Sequence, residues 1–333
     1  MKALVLSVLL SLCIACSQGP TEVQISGNTM GTQFNVTLAS SDANVEFLQQ
    51  EIEASLDAVD RMMSTYKADS EISRFSSSAT TDWQKVSPDF CASVENALVL
   101  SALTSGAFDI TVGPLVNLWG FGPGESVDKP PADADIKKML SAVGYEHLQA
   151  DCTQPALKKD IVELVLDMSA FAKGYAADRV ADWLEETGFN NYLVEVGGEM
   201  RVAGHNANGK MWSVGIEAPL ADQRRAHTVI RLTDAAVATS GDYRNYFESA
   251  GQRYSHTIDT RTGKPVTHSL ASVTVVDDSG YRADALATAL LVMGPEKAMA
   301  LARREKLAAL FLFRSDAGID EVATPAFEEL RSG

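Results

Sequence analysis

The chain has 333 residues, of which 46% are hydrophobic and 22% charged, an ordinary globular composition with enough apolar mass for a sizeable core in one large or two closely joined domains. A formal net charge of -16 argues against a nucleic-acid partner, since a binder would carry a basic stripe, and the acidity otherwise reads as a solubilising surface. Beyond the N-terminal segment no stretch could span a bilayer.

Met1 to Cys16 (MKALVLSVLLSLCIAC) combines one lysine, an apolar run of about ten residues and a small residue before a cysteine, which is the pattern of a secretory signal. That run is too short for a permanent membrane span. Its Ile14-Ala15-Cys16 ending resembles the bacterial lipobox, in which the cysteine is acylated and becomes the first mature residue, although Cys13 stands where Leu is usual. The expected plan is a signal peptide at 1–15, a lipid-anchored tether at 16–24 and a functional body at 25–333 that could divide into two closely joined subdomains. Cys91 and Cys152 remain in that body. In an oxidising periplasm they could pair, but two cysteines do not establish a disulfide framework, so two buried thiols are expected, and the lack of a Cys/His cluster with ligand spacing argues against a zinc site.

Val23 to Leu38 alternates around Gly27-Asn28-Thr29-Met30-Gly31-Thr32 and predicts two short strands joined by a glycine-bearing turn. Val45 to Met63 has helical periodicity and ends at Tyr66 to Ser70, with a further helical turn at Glu71 to Phe75. Ser87 to Thr104 predicts a helix opened by Ser87-Pro88, with Gly106 past its end. Gly106 to Pro123 is apolar and glycine-punctuated, but it lacks both the GxGxxG spacing between strand and helix and a Walker A loop. Ser126 to Ala134 reads as a surface loop and Asp135 to Val143 as a short helix.

The organising stretch is Leu166 to Met200. A strand at Val162 to Leu166 is expected to run into Asp167 and a Ser/Ala run, after which an amphipathic helix begins near Lys173-Gly174, with Tyr175, Val180 and Leu184 at near-helical spacing and Gly188 as its stop. A second strand, Tyr192 to Val196, ends at Gly197-Gly198. An acid, a carbonyl-bearing loop, a lysine and paired glycines suggest an anionic ligand held with a cation. Further strands are expected at Trp212 to Glu217, His227 to Leu232, Ala236 to Thr239, Ser255 to Ile258 and Ser272 to Val276, helices at Asp284 to Val292 and Glu296 to Lys306, and a closing strand at Ala308 to Phe313. Strands and helices mix without strict alternation, which favours an α+β (mixed α/β) body of largely antiparallel sheets flanked by helices rather than a Rossmann fold.

Several side chains could carry chemistry. Asp284 and Thr288 lie at i and i+4, so a helix sets a carboxylate and a hydroxyl on one face, with small Ala285, Ala287 and Ala289 around them. That pair suits Mg²⁺, whose shell is completed by water and phosphate oxygens, or else Asp284 caps the helix and Thr288 is simply buried. His256 leads a strand ending at Asp259 and is either a base for an alcohol or a half-exposed histidine bonding a neighbour. Ser240 to Tyr246 reads as a packed turn or a ligand contact, and Trp119-Gly120-Phe121 as a stacking platform or a core corner. Lys173 could offset phosphate charge or pair with Asp178, and Asp109, in an apolar setting, needs donors or a cation.

In order along the chain, these words form a series: Asn28 to Thr32 (NTMGT), Met63 to Tyr66 (MSTY), Gly106 to Gly122 (GAFDITVGPLVNLWGFG), Leu166 to Tyr175 (LDMSAFAKGY), Val196 to Glu199 (VGGE), Thr239 to Arg244 (TSGDYR), Ser255 to Gly263 (SHTIDTRTG) and Ala283 to Leu290 (ADALATAL). The series resembles the ApbE family, the FAD:protein FMN transferases, from about Ile25 to Leu312. The resemblance implies Mg²⁺-dependent transfer of FMN from FAD to a threonine or serine hydroxyl of a partner flavoprotein, with release of AMP. The implied partners are exported or membrane subunits of sodium-pumping NADH:quinone oxidoreductase (Nqr) and Rnf-type complexes, which fits a periplasmic, lipid-anchored protein, the inner membrane being expected. By position Met30, Tyr66, Ala107, Phe108, Asp109, Asp167, Lys173 and Ile258 match FAD contacts. Asp284, Thr288 and the Ala170 carbonyl match the metal site with Ala287 beside it, and His256 matches the catalytic histidine. Where the family loop after Asp167 commonly carries glycines, this chain has Met168-Ser169-Ala170-Phe171, a change that a carbonyl ligand survives. The same site with water as nucleophile would make an FAD pyrophosphatase, and without catalysis a flavin-binding lipoprotein. The intact His256, Asp284 and Thr288 speak against the last.

Overall fold

Alternating apolar positions in the first segment fold back on themselves. β1 (Thr21–Thr29) and β2 (Thr32–Ser40) form a hairpin whose two turn residues, Met30 and Gly31, both take positive φ, matching the right-handed twist of the strands they join. The computed structural model describes residues 21–332 apart from positions 42, 125, 221, 222, 224 and 317, so the leader, Cys16 and the first part of the tether lie outside the described residues.

Helix α1 (Val45–Met63) follows, opened by the Asn44 side chain accepting from the Phe47 amide, and Ser70 and Ser87 cap α2 (Glu71–Ser77) and α3 (Pro88–Leu103) in the same way. β3 (Gln84–Lys85) lies between those two helices, and α4 (Gly113–Leu118), α5 (Asp133–Leu140), β4 (Leu148–Asp151) and β5 (Ala156–Lys159) complete the first half. The second half runs α6 (Ala172–Glu186), β6 (Tyr192–Val196), β7 (Glu199–Ala203), β8 (Trp212–Glu217), β9 (Ala226–Leu232) and β10 (Ala235–Gly241). It continues with β11 (Tyr246–Ser249), β12 (Gln252–Ser255), β13 (Ile258–Asp259), β14 (Lys264–Pro265), β15 (Leu270–Asp277), α7 (Gly280–Met293) and α8 (Pro295–Arg304), and closes on β16 (Ala308–Ser315), β17 (Gly318–Ala323) and α9 (Pro325–Ser332).

Eight strands form the main sheet in the order β1-β2-β6-β7-β10-β15-β16-β17, every neighbouring pair antiparallel. Phe34, Val36, Leu38, Tyr192, Val194 and Val196 point from one face into the principal core, where α1, α6 and α7 supply Leu56, Ala177, Val180 and Leu286. On the opposite face Trp212, Val214, Ile230 and Leu232 of the β8–β9 hairpin, with Phe327 of α9, cover Val202, Val237 and Leu310. A smaller cluster of Leu115, Trp119, Ile136 and Ile258 holds α4, α5 and β13 together. Among the described residues no helix is long and apolar enough to cross a membrane.

Four expectations are corrected. The segment from Val162 to Leu166 is not a strand. The Lys159 ammonium donates to the carbonyls of Val162 and Leu164 and Ser76 Oγ accepts from the Leu166 amide, so its backbone groups are satisfied without a neighbouring strand, and only an isolated bridge, Val112 to Val165, remains. The strand expected from Ser255 to Ile258 is divided, because β12 ends at Ser255 and His256 turns back to Asn245 before β13 begins. Ala308 to Phe313 does not close the chain, since β17 and α9 follow it. Cys91 and Cys152 form a disulfide, because α3 packs on β4 and sets their Cα atoms 5.7 Å apart, within bonding range.

Candidate functional site

The site lies at the end of the sheet where β2 begins, where β6 turns into β7 and where β10 ends. Two glycines let two helices meet there. A Cβ on Gly174 would stand 2.2 Å from the Gly280 carbonyl oxygen, so only glycine permits the first turn of α6 to touch the start of α7. The contact brings Lys173 beside Asp284 and Thr288. Asp178 locks it, its carboxylate accepting from the Gly280 and Tyr281 amides at 2.8 and 3.1 Å and from Ser279 Oγ at 3.1 Å. The cap of α7 is thus Asp178 rather than Asp284, and Asp178 is not the partner of Lys173.

Lys173 instead pairs with Glu199 at 3.2 Å and reaches the Ser169 carbonyl at 3.4 Å. Burial by itself would lower the Lys173 ammonium, but the carboxylates of Asp284, Glu199 and Asp167 outweigh it and hold the lysine charged. Burial pushes the Asp284 carboxyl up, against the pull of Lys173 and of the Gly174 amide, which donates to Asp284 Oδ2 at 3.2 Å. In a continuous helix that amide would bond the Ala170 carbonyl. Ala170 lies instead in the turn before α6, with Phe171 at φ -145° as the first flanking residue. Thr288 Oγ1 is 2.7 Å from Ser240 Oγ.

A cavity of about 780 Å³ gathers Tyr66, Ala107, Phe108, Asp109, Asp167, Ala170, Lys173, His256, Ile258, Asp284 and Thr288 in its wall. Met30, in the β1–β2 turn, and Ala287, fully buried in α7, are not in its lining. Asp109 finds donors rather than a cation: Thr111 N and Oγ1 bond Oδ1 at 2.8 and 2.7 Å, and the Tyr145 amide bonds Oδ2 at 2.9 Å. Burial still raises its carboxyl against those bonds. Trp119 proves a core corner, its indole N–H donating to the Gly263 carbonyl and its ring stacked on Tyr254, while Phe121 reaches the cavity.

His256 Nδ1 lies 3.0 Å from the Asn245 carbonyl. A carbonyl cannot donate, so Nδ1 carries the hydrogen and Nε2 keeps its lone pair. Burial lowers the imidazole below its usual range, with the Asn245 carbonyl opposing, so the ring is neutral at pH 7. Asn245 is fixed from outside the cavity: the preceding loop is tied to the sheet by Asp242, buried and paired in two-pronged fashion with Arg314 of β16. The Ser240 to Tyr246 segment is therefore both a packed turn and part of the cavity wall.

Glu199 was not singled out in the sequence reading. Its carboxyl is buried and pushed up by that burial, and among the described residues Oε2 finds no hydrogen-bond partner. The available signal was Gly197-Gly198, whose positive φ values turn β6 into β7 and present the next side chain at the site. Among the described residues no group of three or more His, Cys, Asp or Glu is placed to hold a metal. A cation here would rest on the Asp284 carboxylate, the Thr288 hydroxyl and the Ala170 carbonyl, a hard oxygen set that leaves half of an octahedral shell to water and ligand.

The ApbE family model matches residues 30–311, which include every one of these groups. The chain belongs to the ApbE family. It is 44% identical to the FAD:protein FMN transferase of Vibrio cholerae over 97% of both chains, and 40% identical to that of Haemophilus influenzae over 98% of this chain and 96% of the other. Among solved structures, the flavin transferase ApbE from Vibrio cholerae superposes with a TM-score of 0.87 at 43% identity, covering 93% of this chain and 99% of that one. The apo flavinyl transferase ApbE of Pseudomonas stutzeri gives 0.86 at 40% identity, covering 95% and 99%. The mixed, antiparallel ApbE fold read from the sequence is thus the fold observed.

Proposed function

We propose that this ApbE-family chain transfers FMN from FAD to a threonine or serine hydroxyl of an acceptor flavoprotein and releases AMP. The observation that carries the reading is the meeting, in one cavity, of a neutral histidine with a free Nε2, a charged lysine and the oxygen set of Asp284, Thr288 and Ala170. In the proposed step the acceptor oxygen forms a bond to the FMN phosphorus, the anhydride bond to AMP breaks, and the acceptor proton passes to His256 Nε2. Lys173 stabilises phosphate charge, and the Asn245 carbonyl keeps His256 in the tautomer that accepts. Among the described residues six carboxyl groups but only Lys173 and Arg244 as cations line the cavity, and Arg244 is already paired with Glu217, so a pyrophosphate needs a further positive charge. Bound Mg²⁺ at the Asp284, Thr288 and Ala170 oxygens would neutralise the phosphates and favour departure of AMP.

The acceptors fitting this reading are exported flavoprotein subunits of Nqr and Rnf-type complexes. We place the chain in the periplasm, anchored through acylated Cys16 to the inner membrane. A disulfide between Cys91 and Cys152 supports an oxidising compartment. Incubation with FAD, Mg²⁺ and an acceptor subunit, read by in-gel flavin fluorescence, tests the activity. Fluorescence on the acceptor is expected. FMN and AMP without a labelled acceptor would indicate a pyrophosphatase, and intact FAD a binding protein.

A further inference from the structure

The two ends of the main sheet differ. β1 enters at Thr21, paired with Ser40, and runs to the Thr29–Thr32 turn, beside which the cavity opens at Thr32 and Gln33. α1 starts at Val45, at the Thr21 end, and finishes short of Thr65 and Tyr66 in the cavity wall. α6 runs oppositely, from Lys173 in the cavity towards Glu186, and the chain then returns to the Ser40 end, where the Asn191 carbonyl accepts from the Ala39 amide. The cavity and the Thr21 end therefore lie at opposite poles. The 9 residues of β1 set them roughly 27 Å apart at ~3.3 Å per residue, and the 19 residues of α1 give about 28 Å.

The Thr21 end carries an apolar group that the core does not absorb. Val45 is 47% and Phe47 49% exposed on the first turn of α1, and the Phe47 ring lies 6.2 Å from that of Trp183, half-buried on α6. An aromatic pair with one face on protein and one open is the composition of a membrane-interface contact.

Resting on the acylated Cys16 of the reading above, we infer that this end sits on the bilayer, with Val45, Phe47 and Trp183 in the headgroup region, and that the cavity opens away from the membrane. Only Ser17 to Pro20 separate Cys16 from Thr21, so whatever their path the anchor lies within ~18 Å of the start of β1. A tether that short leaves the Thr21 end no choice but to stay near the surface, and it cannot bring the far pole down. The occupant is the lipid surface itself. Glu46, Asp182, Glu185 and Glu186 flank the aromatic pair, so a zwitterionic surface suits it better than an anionic one. The acceptor hydroxyl must then be presented about 25 Å or more from the bilayer, on a projecting domain or segment.

The test uses the full-length, acylated protein in phosphatidylcholine vesicles with and without brominated acyl chains, reading tryptophan fluorescence. Brominated lipid is expected to quench the emission, Trp183→Phe to abolish most of that quenching, and Trp83→Phe to leave it unchanged. Protein that sediments with vesicles but is quenched equally with and without Trp183 overturns the membrane-facing assignment while the anchor stands. Protein that does not sediment overturns the anchor and this inference with it. Efficient labelling of an acceptor peptide held on the bilayer by a linker shorter than ~15 Å would also overturn it.

Discussion

The disulfide between Cys91 and Cys152 closes a segment with a sequence separation of 61, and that segment carries Ala107, Phe108, Asp109 and Phe121 of the cavity wall. Breaking it frees the unfolded chain. A loop of that length gives about 14 cal/mol/K of loop-closure entropy, or about 4 kcal/mol at 25 °C. A chain of 333 residues unfolds with roughly 0.7 kcal/mol/K of entropy, so the melting temperature should fall by about 6 °C. The comparison is between oxidised protein, protein refolded in reductant, and Cys91→Ala/Cys152→Ala, by scanning calorimetry with and without FAD. Both uncrosslinked forms should melt together and lower, which separates the cross-link from the small loss of packing at buried Cys91. If both melt within about 1 °C of the oxidised protein, the cross-link does not act on the unfolded state and the argument is wrong.

Four other outcomes follow from the site. His256→Ala should retain FAD binding by fluorescence titration and lose transfer by ~10²- to 10⁴-fold. Since burial lowers the imidazole, the wild-type kcat/KM should be flat at neutral pH and fall only as pH drops below the usual imidazole range, where Nε2 takes its proton; a limb at or above the ordinary value of about 6.5 would refute the assignment. Ser240→Ala removes the hydroxyl 2.7 Å from Thr288 Oγ1, so the Mg²⁺ concentration for half-maximal transfer should rise about 10- to 100-fold, and an unchanged titration would detach Thr288 from the metal. Gly174→Ala forces a Cβ to within 2.2 Å of the Gly280 oxygen, and urea unfolding should show a loss of about 1–3 kcal/mol or more.

Much of this was legible in the chain. Val45–Met63, Tyr192–Val196 and Trp212–Glu217 begin and end where their periodicity, caps and glycines say, because those signals are local backbone chemistry. The i, i+4 pair Asp284 and Thr288 and the ordered words around His256 and Lys173 do line the cavity together. Tertiary structure decided what spacing cannot encode. Val162 to Leu166 reads as a strand because it is apolar, but the Lys159 ammonium takes the Val162 and Leu164 carbonyls. Lys173 took Glu199 rather than Asp178, since Gly174 and Gly280 let two helices approach until Asp178 was needed as a cap. The two cysteines met only because α3 packs on β4. Sequence by itself determined which residues bear chemistry and which local elements form. The fold decided which of them share a cavity, which nitrogen of His256 is free, and which end of the sheet faces away from it, because hydrogen-bond partners and desolvation are set by neighbours far apart in the chain.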